Sequence, residues 1–300
     1  MSVKRKIAGV IAGMTLIGLL AGCSASADKT TPADGTDKPI KIGVVNESEA
    51  YWKDYVEAAK KEGINVEIVG FAEYPLPNPA LQAGDIDLNQ FQHIIYLAQH
   101  DAATGDDLVP VGSTAIFPLS LYSNKYKTPE EIPADSKIAI PNDESNQARA
   151  LLVLQSAGLV KLKDGGSTIS TPEDVLPESK VEVTAVDGAL APTLLDDPAV
   201  AGAVINNDWA TKAGIDIQSA IAKDSAEDPK SQAYVNIFAA RGADKDNPTF
   251  KKLVEIYQND QKVLDGVQKT NNNTAVFAKI PAADLQKTLE DQIKLIKDNK

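Results

Sequence analysis

The 300-residue chain has one cysteine and two histidines. That scarcity excludes a disulfide-stapled scaffold and any zinc site of the Cys/His type. Positive charge is also short: 30 Lys and Arg stand against 42 Asp and Glu, for a formal net charge of −12. Nucleic-acid binding runs on clustered Lys and Arg, so no nucleic-acid partner is expected. Common enzyme signatures are missing as well. There is no Gly-x-Ser-x-Gly elbow, no phosphate-binding glycine loop and no His-Glu-x-x-His pair. Asp85, Asp87 and Asn89 open like a calcium loop, but Gln90 stands where glycine is required and Tyr96 where the closing glutamate belongs. Neither a metal nor a cofactor is expected. What remains has an ordinary globular composition, 43% hydrophobic and 24% charged, with room for two domains.

The first 22 residues read as a signal segment outside the fold. Lys4, Arg5 and Lys6 precede a 15-residue apolar run from Ile7 to Ala21. A spanning helix needs about 20 residues, so this run reads as the core of a secretory signal. It ends in Leu20-Ala21-Gly22-Cys23, which resembles a bacterial lipobox. Cys23 is then expected to carry a lipid that tethers the protein to a membrane face without spanning it. Cleavage there removes three positive charges and leaves the chain more acidic still. Residues 23–38 are small and polar with one proline, Pro32, a tether composition.

From about Pro39 onward, strand and helix patterns alternate. Ile40 to Val45 reads as a strand, and Trp52, Tyr55, Val56 and Ala59 fall at helical spacing. A second strand covers Val66 to Phe71. Asn89 is positioned to cap a helix running to about Ala103, with His93 and His100 seven apart on it. Later strands are expected at Lys137–Ile140, Val181–Val186 and Ala201–Ile205. Helices are expected at Asn146–Ala157, near Ala189–Leu195 and at Asp208–Ala213. Leu285, Leu289, Ile293 and Ile296 mark a final amphipathic helix. The alternation predicts βαβ units and an α/β fold. Phe117–Lys125 and Ala233–Arg241 read as two crossings between lobes. They divide the chain into a discontinuous first lobe (39–120 and 235–300) and an inserted second lobe (121–234). In open α/β sheets ligands sit beyond the carboxyl ends of strands, so the loops after strands are candidate sites.

Four constellations lie there. Phe91, His93 and Tyr96 form an aromatic group, equally readable as core residues around a satisfied histidine. Pro141 to Arg149 joins a strand to a helix, a junction that suits anions. Asn146 and Arg149 share its face. Arg149 suits a planar bidentate acceptor such as a carboxylate, and equally an interdomain or surface salt bridge. Asn206 and Asn236 follow a strand and the second crossing, where amides serve either a zwitterion or turn chemistry. Together they describe a cleft for a free amino acid with an apolar or polarisable side chain.

At these residues the sequence resembles the NlpA-type lipoproteins, the methionine-binding components of bacterial ABC importers. The resemblance rests on Tyr74-Pro75-Leu76-Pro77-Asn78, Gly84-Asp85-Ile86-Asp87, Asn89 to His93, Pro141-Asn142-Asp143 with Asn146 and Arg149, Gly158 to Gly165, Ala203 to Asn206, and Tyr234-Val235-Asn236. It implies a type II periplasmic-binding-protein fold: two lobes, each a mixed or mostly parallel sheet flanked by helices, closing on L-methionine. It also implies delivery to an ABC permease and its ATPase, from an exported protein lipid-anchored to the outer face of the cell membrane or the periplasmic side of an envelope membrane. By the same resemblance Arg149, assisted by Asn146, holds the ligand carboxylate. Asn206 and Asn236 hold its amino and carboxylate groups, and Tyr74, Phe91, His93 and Tyr96 surround its side chain. Departures fall at Asn46 to Trp52, at Trp209 and at Ser231 to Ala233. They leave D-methionine, a methionine-containing dipeptide with Glu47 or Glu49 on its amine, or another amino acid as alternatives. A non-enzymatic receptor is expected; the rival of another class is an exported hydrolase using His93 or an acidic pair.

Overall fold

The computed structural model describes residues 38–226 and 229–299. The signal segment, Cys23 and the tether up to Asp37 lie outside the described residues. The first half runs β1 (Ile40–Val44), α1 (Tyr51–Lys61), β2 (Val66–Gly70), α2 (Pro77–Ala83), β3 (Leu88–His93), α3 (Ile94–Thr104), β4 (Leu108–Ser113), β5 (Ala115–Ile116), β6 (Ser120–Tyr122), β7 (Ser136–Pro141) and α4 (Glu144–Ser156). The second half runs β8 (Val181–Val186), β9 (Val200–Ile205), α5 (Asn207–Lys212), β10 (Ala222–Lys223), β11 (Asn236–Arg241), α6 (Pro248–Asn259), α7 (Gln261–Thr270), β12 (Val276–Phe277) and α8 (Ala282–Asp298).

Two five-stranded sheets organise the fold, in the orders β2-β1-β3-β11-β4 and β10-β6-β9-β7-β8. Each has parallel pairs, β1 with β2 and β3, and β7 with β8 and β9. Each also takes antiparallel strands, β11 between β3 and β4, and β6 beside β9. The sheets are therefore mixed α/β, and each sheet with its helices forms a lobe. Of the second expected crossing, only the part before Asn236 passes between sheets, because Asn236 to Arg241 is itself a strand of the first. Likewise the stretch from Phe117 includes β6 of the second sheet.

Tyr55 and Phe238 stack, and Tyr257 meets both edge to face, at 5.6–6.1 Å between ring centroids in the core of the first lobe. Ile138, Ile140, Leu151, Leu154 and Val204 form that of the second. On the other face of the first sheet, α8 buries Leu285, Leu289 and Ile296 beside Leu97 of α3. Burying a side chain of this size contributes roughly 1.5–3 kcal/mol. Helix ends follow local chemistry: Gly84 and Gly105 close α2 and α3 in the left-handed region, at φ +82° and +78°.

Two expectations change. Asn89 does not cap a helix. It lies on β3, whose six residues are all buried, and the helix begins at Ile94 with His93 as its cap. The strand tolerates Asn89, Gln90 and Gln92 inside the protein because each side chain finds a partner, Gln90 Nε2 donating to Thr114 Oγ1 at 3.2 Å. Asn78 Nδ2 donates to Gln92 Oε1 (2.8 Å), while Asn89 and Gln92 donate to Asn78 Oδ1 (2.9 and 2.7 Å). The expected helix at Ala189–Leu195 is a short 3-10 turn, Ala191–Asp196, opening with Pro192.

Asp101, on α3, is buried, and its Oδ1 has no hydrogen-bond partner among the described residues. Burial, reinforced by Asp106, pushes its pKa up to about 8. A raised carboxyl stabilises the fold at low pH and loses that contribution as pH rises from about 4 to 8. Asp101→Asn does not titrate. In denaturant unfolding it is expected to gain on the order of 2 kcal/mol over the parent between pH 5 and pH 8. Parallel stability profiles would contradict this.

Candidate functional site

The two sheets meet across a cavity lined by Tyr74, Phe91, His93, Tyr96, Phe117, Asn146, Arg149, Asn206, Asp208 and Asn236, among others. It holds about 450 Å³ of non-atom space, open mouth included. All eight residues expected at a ligand site line it. They come from the β2–α2 loop, β3, α3 and β11 on one side and from α4 and the end of β9 on the other.

Arg149 sits one turn into α4, whose start is set by Asp143 accepting from Asn146 N–H at 2.9 Å. Its guanidinium is held on two edges: Nε donates to Asp224 Oδ2 at 2.6 Å and Nη2 to the Phe117 carbonyl at 2.9 Å. The Tyr234 ring lies 4.3 Å beneath its Cζ. The salt bridge that the sequence left open thus exists. It uses Nε, while Nη1 has no partner among the described residues.

Asn146 links the two sides. Its Oδ1 accepts from Asn206 Nδ2 (2.9 Å) and faces His93 Nε2 (3.2 Å), and its Nδ2 donates to Asp143 (2.9 Å). Asn206 Oδ1 is buried without a hydrogen-bond partner among the described residues. The acceptor lies beside the cavity with its hydrogen-bonding capacity unmet by the described residues.

His93 Nδ1 accepts the Tyr96 N–H at 3.1 Å, so Nε2 carries the proton given to Asn146. Burial and the nearby Arg149 charge lower its pKa to about 3. This is a neutral, fully engaged imidazole with no lone pair left for base or metal chemistry. The sequence expected His93 on a helix with His100. Instead it ends β3, while His100 bonds Asp106 at 2.8 Å.

Tyr74, Phe91 and Tyr96 pack edge to face or tilted at 5.6–6.0 Å. Tyr74 reaches the other lobe twice: its ring lies 5.0 Å from Trp209, and its hydroxyl donates to Asp208 Oδ2 at 3.1 Å. Burial raises the Asp208 pKa to about 6. Asp208, Asp224 and the Phe117 carbonyl are the site components that sequence reasoning missed. Asp208 follows Asn206 and Asn207 at a strand end, which was a usable signal. Asp224 lies 75 positions from Arg149 and carried none. A second cavity, lined by Asn46, Glu49, Thr211, Thr270 and Asn271, shares Phe91, Phe117, Asp208 and Asn236 with the first. Glu47 lies elsewhere, against Gly70.

A family model described as NlpA lipoprotein matches residues 40–282. The chain belongs to the NlpA lipoprotein family. A relative named D-methionine-binding lipoprotein MetQ, from Yersinia pestis, is 38% identical over 281 residues, covering 92% of this chain and 99% of its own. Among solved structures, protein PG110 from Staphylococcus aureus superposes with a TM-score of 0.78 at 37% identity, over 85% of this chain and 99% of that one. A nutrient binding protein from Burkholderia cenocepacia bound to methionine gives 0.73 at 37%, over 80% and 99%. The NlpA match spans both sheets and all eight cavity residues expected from sequence. Among the described residues of this family member, no helix is long and apolar enough to cross a membrane.

Proposed function

We propose that this NlpA-family protein is the substrate-binding component of an ABC importer, that it captures L-methionine between its lobes, and that it hands the ligand to a membrane permease and its ATPase. Residues 39–120 with 235–300 form one lobe and 121–234 the other. The protein is exported and held at the membrane through a lipid on Cys23. The observation that carries the ligand class is Arg149: a buried guanidinium, fixed on two edges, with an edge left over at the cavity. A carboxylate is the planar partner such a group takes.

In this reading Arg149 binds the α-carboxylate, and Asn206 Oδ1 accepts from the α-ammonium, completing its hydrogen bonding. Asn236 assists from β11, and Asn146 orients Asn206 and His93. Tyr74, Phe91, His93 and Tyr96 enclose the thioether, and sulfur–aromatic contacts contribute roughly 0.3–1.5 kcal/mol each. The relative named a D-methionine-binding lipoprotein and the methionine in the Burkholderia structure support methionine as the ligand, and titration with each enantiomer decides between L and D. The engaged nitrogens of His93 weigh against the hydrolase rival.

Calorimetric titration with L-methionine tests the reading, on protein beginning at Lys38 and refolded to strip bound ligand. One-to-one binding at micromolar affinity or tighter is expected. No heat would reject L-methionine, and D-methionine and other amino acids would follow. The second cavity favours one further reading, a methionine dipeptide whose amine extends toward Glu49 and Asp208. Mass spectrometry of the ligand released on unfolding the purified protein separates the two.

A further inference from the structure

Among the described residues, three hydrogen bonds between the lobes converge on one short turn, with another, Thr168 to Gln292 at 3.2 Å, elsewhere. Asn271, Asn272 and Asn273 follow α7 in the first lobe, and Asn272 and Asn273 adopt left-handed backbone at φ 46° and 59°. Asparagine is among the few residues with a side chain that tolerate this region. The turn is braced from its own lobe: Asn273 N–H donates to the Gln268 carbonyl (2.8 Å), Thr274 N–H to the Asn271 carbonyl (2.9 Å) and Gln268 Nε2 to the Ala275 carbonyl (2.9 Å). Its outward groups are spent on the other lobe. Asn207 Nδ2 donates to Asn271 Oδ1. Asn272 Nδ2 donates to Asp216 Oδ1 at 3.1 Å, and Gln218 Nε2 donates to the Asn272 carbonyl at 3.0 Å.

We propose that this asparagine turn is a preformed latch, and that Asn272, Asp216 and Gln218 are positioning residues that hold the lobes closed without touching ligand. None of the three lines either cavity. Their bonds exist only while the lobes are together, so they bias the open–closed equilibrium and slow ligand release. Rigid bracing within one lobe means little ordering is left to do when the second lobe arrives. The inference rests on the proposed capture by closure, but its test does not depend on which ligand is captured.

Trp209 reports closure directly, since one face of its indole is covered by Tyr74 of the opposite lobe. The other tryptophan, Trp52, is 2% exposed in the core of the first lobe and stays constant. Asn272→Asp sets a carboxylate against Asp216. The swap of Asn272→Asp with Asp216→Asn restores a donor and an acceptor, and both residue types tolerate the backbone. The single variant is expected to raise acrylamide quenching of Trp209 in ligand-free protein. It is also expected to weaken L-methionine binding about tenfold, through faster release at unchanged association. The swap is expected to return both to the parent's values. Equal quenching in parent and single variant overturns the latch, as does a swap no better than the single variant. If L-methionine gives no heat with the parent, the ligand assignment fails while the quenching comparison still decides the latch.

Discussion

Arg149→Ala is expected to weaken ligand binding by about 2–4 kcal/mol, roughly 30- to 1,000-fold. Two losses combine. The ligand carboxylate loses its charged partner inside the cavity. Asp224, with only 19% of its side chain exposed, loses the guanidinium that neutralises it and keeps the Leu119 N–H at 2.9 Å as its side-chain partner among the described residues. The second loss also lowers folding stability, by about 2–3 kcal/mol for a pair this enclosed. Arg149→Lys retains the charge but lacks the fork that meets Asp224, Phe117 and a ligand together, so most of the affinity loss is expected to persist. Titration calorimetry and denaturant unfolding separate the contributions. Reduced stability with unchanged affinity in Arg149→Ala would make the residue a structural ion pair and remove it from the ligand site.

The other large effect concerns pH. An unfolded histidine titrates near 6.5, whereas His93 in the fold resists protonation until about pH 3, because burial disfavours the imidazolium and Arg149 repels it. Between these values the unfolded chain binds a proton that the folded chain refuses. The contribution is therefore complete above pH 6.5 and declines as pH falls toward 3, by about 1.4 kcal/mol per unit. Asp208 and Asp101 act in the opposite sense, since their raised carboxyls gain stability on acidification. The His93 effect is isolated by comparison with His93→Gln. From pH 6.5 to 4.5 the parent is expected to lose about 2–3 kcal/mol relative to that variant. Profiles that stay parallel over this range would mean His93 is protonated in the fold. Its Nδ1 could then no longer accept the Tyr96 N–H, so that hydrogen bond would have to break.

The places where sequence reasoning and structure part company share a cause. Asn89, Gln90 and Gln92 look like the polar opening of a helix, and by local propensity they are. They form a fully buried strand because β1 and β11 flank them, Asn78 bonds the amides of Asn89 and Gln92, and Thr114 accepts from Gln90. The Ala189–Leu195 segment has helical spacing, yet Pro192 and the close approach of Trp209 to Gly188 leave room only for a tight turn. By contrast β8 was legible over its whole length and the final helix on every apolar position, because their patterns rest on neighbours a few residues apart.

The sequence by itself determined the alternation of strands and helices, the acidic surface, the expected signal and lipid attachment, and the residue types that converge on the cleft. These follow from periodicity, turn chemistry and composition, which are local properties of the chain. The tertiary structure alone decided the partners. Asp224 takes the Nε of the Arg149 guanidinium, Asn146 and Tyr96 engage both His93 nitrogens, Tyr74 meets Asp208, and Asn271 and Asn272 reach the opposite lobe. Most of these pairs lie more than 50 positions apart, and hydrogen-bonding potential is satisfied by whatever the fold brings near. A residue's chemistry is written in its own position, whereas its role depends on partners that only closure of the chain supplies.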